Sequence, residues 1–289
     1  MHELTFSFTL MKFPETILRG IGQVMFQNNW LSGLLFLVGI FYNSWMFGLA
    51  AIAGTCISTI SAEILKYSKE DIRNGLYGFN GTLTAIAVLV FFEFNLYSII
   101  ALILGSFLST IVMKLLKKIV PPFTAPFVLV TWSVIYSLLF VFKTPLETTT
   151  TTAENSFSLI STLGKSFGQV MFQDNTVTGL FFLLAIFINR KLTAVYAIYA
   201  AVLGSLIGWL LSESFSSINA GLMGYNAILC AIALSGQQKK DLMWVTLAII
   251  LSTGLNVGLG RTGIITLTAP FVIATWIILG LKAILLKNR

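Results

Sequence analysis

The side chains of this chain that could engage a small molecule come in pairs, and nearly all are uncharged. Thr124 and Thr268 each open a Thr-Ala-Pro-Phe sequence, 144 residues apart. Gln23 and Gln169 lie in segments 22–29 and 168–175, which agree at seven of eight positions with an offset of 146. Phe26 and Phe172 follow those glutamines by three residues. Phe79-Asn80 and Tyr225-Asn226 close two copies of a Gly-x-x-Gly-aromatic-Asn motif, and Leu83 and Leu229 stand one helical turn beyond the aromatics. Hydroxyls and carboxamides donate and accept hydrogen bonds without titrating. Paired rings could form a flat apolar slit that strips water and admits a planar solute. This is the chemistry of passage, not of bond making.

Each residue also has a plainer reading. A threonine before a helix caps it. A buried glutamine or asparagine can bond local backbone at a turn, and a lone aromatic in an apolar helix is core or lipid contact. Recurrence at equivalent places in two halves favours a path. Duplication in a membrane protein commonly builds its site where two repeats meet.

The elements that hold these residues are apolar. Hydrophobic residues form 56% of the 289, charged ones 10%, and mean hydropathy is +0.89, which marks an integral membrane protein rather than a soluble domain. Cys56 and Cys230 sit in apolar stretches, with neither a disulfide framework nor metal spacing. The net charge of +7 fits cytoplasmic loops better than a nucleic-acid partner. The N-terminal stretch lacks a clean signal pattern and is read as retained.

Stretches able to cross a bilayer number five per half. They are 30–43, 45–65, 75–92, 96–116 and 123–142, then 176–189, 193–211, 219–235, 242–258 and 265–286. Segments 14–27 and 160–173 are shorter and read as re-entrant. With a cytoplasmic N-terminus and ten spans, all of the 18 Lys and Arg except Lys143, Lys165 and Arg261 fall on the cytoplasmic side, as the positive-inside rule asks. An odd number of spans inverts the second copy. The expected fold is therefore an all-α membrane protein of ten transmembrane helices in two inverted five-helix repeats, residues 1–143 and 160–289. A Thr-rich outer linker at 144–159 joins them, both termini are cytoplasmic, and the pore lies at the repeat interface.

In these motifs the chain resembles the urea transporter family, whose signature Leu-Pro-x-x-Thr-x-Pro-Phe occurs once per half. The copies here are Val120-Pro121-Pro122-Phe123-Thr124-Ala125-Pro126-Phe127 and Ile264-Ile265-Thr266-Leu267-Thr268-Ala269-Pro270-Phe271. Both keep Thr-x-Pro-Phe; the first loses the Leu, the second both Leu and Pro, which bears on the backbone entering the second half-helix. The resemblance runs from about Phe13 to Trp276. It implies passive, channel-like urea permeation in a homotrimer with one pore per subunit, in a bacterial inner membrane, without a cofactor or metal. It places Phe26, Phe172, Phe79 and Tyr225 at the slot of a selectivity filter, Leu83 and Leu229 on its apolar walls, and Thr124 and Thr268 at the constricted middle. Gln23 and Gln169 would offer oxygens from the ends of the re-entrant segments.

Physical chemistry fits that implication. Urea is planar and uncharged, and moving one of its polar groups out of water without new hydrogen bonds costs about 4–8 kcal/mol. A ladder of backbone carbonyls, Thr hydroxyls and Gln oxygens would offset the loss, provided each station binds weakly enough to release. Three rival readings fit the residues less well. Ion-coupled transport usually leaves carboxylates within spans. Here Glu63, Glu93 and Glu213 fall near span ends, and their counterparts Trp209, Lys239 and Tyr67 are not acids. Ammonia channels are typically lined by histidine, yet the only histidine is His2. No HExxH, GxSxG or P-loop pattern supports an enzyme.

Overall fold

The computed structural model describes residues 2–147 and 156–287, and the regular structure among them is helical throughout. In order the helices are α1 His2–Gln23, α2 Trp30–Asn43, α3 Trp45–Ile64, α4 Lys69–Arg73, α5 Gly78–Phe91, α6 Leu96–Leu116 and α7 Ala125–Phe140. After residues 148–155, which are half of the expected Thr-rich linker and lie outside the described residues, come α8 Leu159–Gly168 with a 3-10 turn at Gln169–Met171, and α9 Thr176–Asn189. The chain ends with α10 Lys191–Leu210, α11 Phe215–Asn219, α12 Tyr225–Leu234, α13 Lys239–Arg261 and α14 Ala269–Lys287. Two compact units result: Met1–Pro122 with Leu129–Glu147, and Phe123–Val128 with Thr148–Arg289.

Helices α2, α6 and α9 coincide with the expected bounds. Two others start late for a local reason. Gly75 (φ 73°) ends α4 and Gly221 (φ 76°) ends α11 in the left-handed conformation, so α5 begins at Gly78 rather than 75, and α12 at Tyr225 rather than 219. Helix α1 corrects the expectation of a short opening segment. It is 22 residues long and runs through Pro14, a residue more usual in a first helical turn. Its counterpart α8 is short, and α8 with its 3-10 turn bends 74° into α9.

Within the first unit, small polar residues are buried alongside the apolar core, and α6 turns large apolar residues outward. Helix α6 buries Ser106, Ser109 and Thr110 and exposes Ile103, Leu104 and Leu108, the reverse of a soluble amphipathic helix. The buried hydroxyls join helices. Thr55 and Thr82 pair at 2.5 Å, Ser58 donates to the Ser106 carbonyl at 2.8 Å, and Thr110 to the Ser58 carbonyl at 3.2 Å. Small residues allow such close approach in apolar surroundings. Gly33 in α2 lies so near the Leu18 carbonyl, and Gly179 in α9 so near the Gly164 carbonyl, that a Cβ on either would collide with backbone.

Four helices, α3, α6, α10 and α13, are long and apolar enough to cross a membrane alone. The bent α8–α9 pair passes the same test, and α2, α5, α7, α12 and α14 are shorter apolar helices. Helix α12, with 10 residues, is only ~15 Å long at the standard helical rise. The turn and short α11 before it would have to supply the rest of any crossing.

Candidate functional site

The two matching Gln-Val-Met-Phe-Gln segments fold into the same turn. Gln27 N donates to the Gly22 carbonyl at 3.0 Å and Phe26 N to the Gln23 carbonyl at 3.0 Å; Gln173 N to Gly168 and Phe172 N to Gln169 repeat them at 3.0 and 3.1 Å. This paired bonding is a Schellman helix end, whose left-handed place is ordinarily glycine. Here it is phenylalanine, at φ 58° for Phe26 and 62° for Phe172. Bulky residues seldom adopt that conformation, and such strain clusters at functional positions. Inside each turn a buried amide closes on backbone: Gln27 Nε2 donates to the Met25 carbonyl at 2.5 Å, Gln173 Nε2 to the Met171 carbonyl at 2.6 Å. The repetition extends to Lys66 and Ser212 (φ 55° and 64°) and to Phe123 and Leu267 (φ 45° and 47°). The loss of Leu-Pro at Ile264-Ile265 therefore leaves the turn into the second Thr-Ala-Pro-Phe unchanged.

In the first unit, Gln23 is half-buried and donates from Nε2 to the Asn74 carbonyl at 2.9 Å. Phe79 and Leu83 are buried on α5. A polar cavity of about 400 Å³, lined by Glu15, Thr16, Arg19, Glu70, Arg73 and Asn74, shares Asn74 with Gln23. An apolar one of about 470 Å³ in the second unit, lined by residues that include Phe157, Trp209 and Phe215, touches none of the expected site residues.

The second unit brings Thr124 and Thr268 together. Both are buried, and their Oγ1 atoms are 2.6 Å apart, either able to donate. Each immediately precedes a helix, α7 or α14, whose first bonds run from Val128 N to the Thr124 carbonyl (3.0 Å) and from Val272 N to the Thr268 carbonyl (3.1 Å). The threonines therefore hold the N-cap positions, as the plainer reading expects, while their hydroxyls bond one another. Two helix N-termini meet here, each equivalent to about half a positive charge. Aromatic rings stand close: Phe123 and Phe271 pack edge to face at 5.5 Å, as do Phe127 and Phe172 at 6.0 Å.

Tyr225 is partly exposed and tied to the turn before α14. Its hydroxyl donates to the Leu267 carbonyl at 2.7 Å and lies 3.1 Å from Thr266 Oγ1. Asn226 braces the same turn: Nδ2 donates to the Leu267 carbonyl at 3.3 Å, and Oδ1 accepts from Phe271 N at 3.2 Å. Leu229, one turn on, is fully buried, and Gln169 is half-buried at the α8 C-cap. Sequence reasoning missed Asn256. It accepts from Thr266 Oγ1 at 2.9 Å and donates to the Leu222 carbonyl at 2.9 Å, joining α13 to both turns. A lone carboxamide inside the apolar 242–258 stretch was the available signal. It also missed Gln27 and Gln173, which lie inside the repeated segments.

Among the described residues the one buried carboxylate is Asp241, at the start of α13 and 3.4 Å from Lys282. Glu63 and Glu93 are exposed, and Glu213 pairs with Arg261 at 3.2 Å.

Comparison with known proteins agrees with the motifs. The family profile described as urea transporter matches residues 15–283. The chain is 32% identical to Urea transporter 1 of Mus musculus over 267 residues, which is 85% of this chain and 68% of the mouse protein. It is 30% identical to Urea transporter 1 of Ovis aries over 296 residues, 93% of this chain and 77% of the sheep protein. From the repeated signatures and these matches, the chain belongs to the urea transporter family.

Proposed function

We propose that this protein conducts urea passively across a membrane, through a narrow path whose middle station is the pair Thr124 and Thr268. The observation that carries the reading is their buried hydroxyl contact of 2.6 Å, set between two helix N-termini. A hydroxyl offers one donor and two acceptor sites. A solute with both N–H and C=O can trade the hydroxyl–hydroxyl bond for bonds to itself at little net cost, since each is worth ~0.5–1.5 kcal/mol. Weak exchange of this kind suits release and onward movement. The paired N-termini disfavour cations at the same point.

In this reading Phe26, Phe172, Phe79 and Tyr225 form the slot on either side of the threonines. Leu83 and Leu229 line it, and Gln23 and Gln169 stand at its two mouths. The ten apolar helices α2, α3, α5, α6, α7, α9, α10, α12, α13 and α14 are the spans of two inverted repeats, with both termini cytoplasmic. The assembly is a homotrimer in lipid, in a bacterial inner membrane. The placement of acids at helix ends favours passive flux over ion coupling. Proteoliposomes assayed by stopped-flow light scattering, comparing urea, formamide, ammonia and glycerol, test the reading. Urea should pass fastest and be indifferent to a collapsed proton gradient. Uptake that stops with the gradient would overturn passive conduction, and loss of urea selectivity would overturn the substrate.

A further inference from the structure

The first unit holds a chain of polar contacts that ends on Gln23 and has no counterpart in the second. Glu15 Oε1 accepts from Arg19 Nη2 at 2.7 Å and from Nε at 3.0 Å. Arg19 Nη1 donates to Asn28 Oδ1 at 2.8 Å. Asn28 Nδ2 donates to Asn74 Oδ1 at 3.2 Å, and the Asn74 carbonyl accepts from Gln23 Nε2 at 2.9 Å. The polarity of this chain follows from its first member. A guanidinium only donates, so Asn28 must turn its oxygen to Arg19 and its nitrogen to Asn74. At the far end a backbone carbonyl only accepts, so Gln23 must turn its nitrogen inward, leaving Oε1 as the free face of the amide.

Asn74 needs such a tether. It is the C-cap of α4, a helix of five residues, too short to be stable by itself. Gly75 follows at φ 73°, packed so closely on Arg19 and Gly20 that no Cβ fits. The direction of the Asn74 carbonyl thus depends on what holds this turn against α1. In the second unit the corresponding residues are Lys165, Asp174 and Ala220. Lys165 pairs directly with Asp174 at 3.0 Å, and alanine offers no side-chain link to the turn. Asn219, one residue earlier, faces the other way: it accepts from Ser158 N at 2.9 Å and donates to the Ser156 carbonyl at 2.8 Å.

We propose that Arg19, Asn28 and Asn74 are positioning residues that hold the Gln23 carboxamide with its nitrogen engaged and its oxygen presented, so that this mouth takes solutes by their N–H groups. The inference rests on Gln23 lining the proposed path, and makes the two mouths chemically unequal. The test uses the full chain in proteoliposomes and measures urea flux against urea concentration. Asn28→Asp keeps the size of the side chain and its bond to Arg19 but cannot donate to Asn74. It should raise the half-saturating urea concentration about three- to tenfold, the scale of one modest hydrogen bond, with maximal flux little changed. In a Gln23→Ala background the same substitution should add nothing, because its effect passes through Gln23. Asn74→Ala, which keeps the carbonyl and removes the tether, repeats the measurement should Asn28→Asp fail to assemble. An equal loss in both backgrounds, or no loss when Gln23→Ala itself impairs flux, overturns the positioning role alone. A Gln23→Ala channel with unaltered urea flux removes Gln23 from the path, and with it both this inference and that part of the proposed function.

Discussion

Residues 22–27 and 168–173 make one turn twice, down to the left-handed phenylalanine and the buried glutamine that bonds its own backbone. Around it the two copies diverge. The first is wired through Arg19, Asn28 and Asn74 to Gln23; the second settles Lys165 on Asp174 and leaves Ala220 where Asn74 stood. Backbone geometry in these segments is set by glycines with no room for a Cβ and by turn bonds between backbone groups. Those features survive duplication because each is costly to change. Side-chain contacts at half-exposed positions are individually weak, so they are free to drift and to give the copies separate duties.

The largest expected effects test whether the scaffolds are equivalent. Gly33→Ala and Gly179→Ala each force a Cβ into a backbone carbonyl and should each cost about 3 kcal/mol, the upper range for overpacking. Thermal unfolding in detergent checks this, and a variant as stable as the parent on either side would break the equivalence. Next, Asn256→Leu strips a partner from Tyr225, Thr266 and Leu222, and should destabilise by about 2 kcal/mol, the cost of leaving buried polar groups unpaired. Thr110→Val, at the corresponding place in the first unit, removes one hydroxyl bonded to two carbonyls and should cost less. The reverse order would mean the second unit does not lean on Asn256.

Third, Thr124→Val and Thr268→Val should each lower urea flux about tenfold, equivalent to ~1.4 kcal/mol, by leaving the other hydroxyl without its partner. Similar losses on the two sides sharpen the symmetric reading, whereas unchanged flux in both variants takes the threonines out of the path. Smallest of all, Asp174→Asn weakens a partly exposed ion pair and should shift stability by under ~1 kcal/mol. A flux defect larger than that of Asn28→Asp would show that the second mouth, not the first, is the tuned one.

How much could be read from the sequence follows from where each helix gets its boundaries. Helices α2, α6 and α9 have asparagine N-caps, Asn29, Asn95 and Asn175, whose side chains accept a first-turn N–H, and their bounds were legible. Helices α5, α10 and α12 lack a side-chain cap bond, and their starts were misplaced by two to six residues. The left-handed phenylalanines were not legible at all, since nothing local distinguishes Phe26 from a helical phenylalanine. The extension of α1 back to His2 was hidden by Pro14, which reads as a beginning.

By itself the sequence determined the duplication, the apolar class, the family and the pairs of residues worth following, because those depend on composition and on spacing along the chain. Only the tertiary structure decided that Thr124 and Thr268, 144 positions apart, share a hydrogen bond, and that Asn256 and Asn74 join turns no motif connects. Such contacts are fixed by how helices pack, and a buried polar group finds its partner in space rather than in sequence.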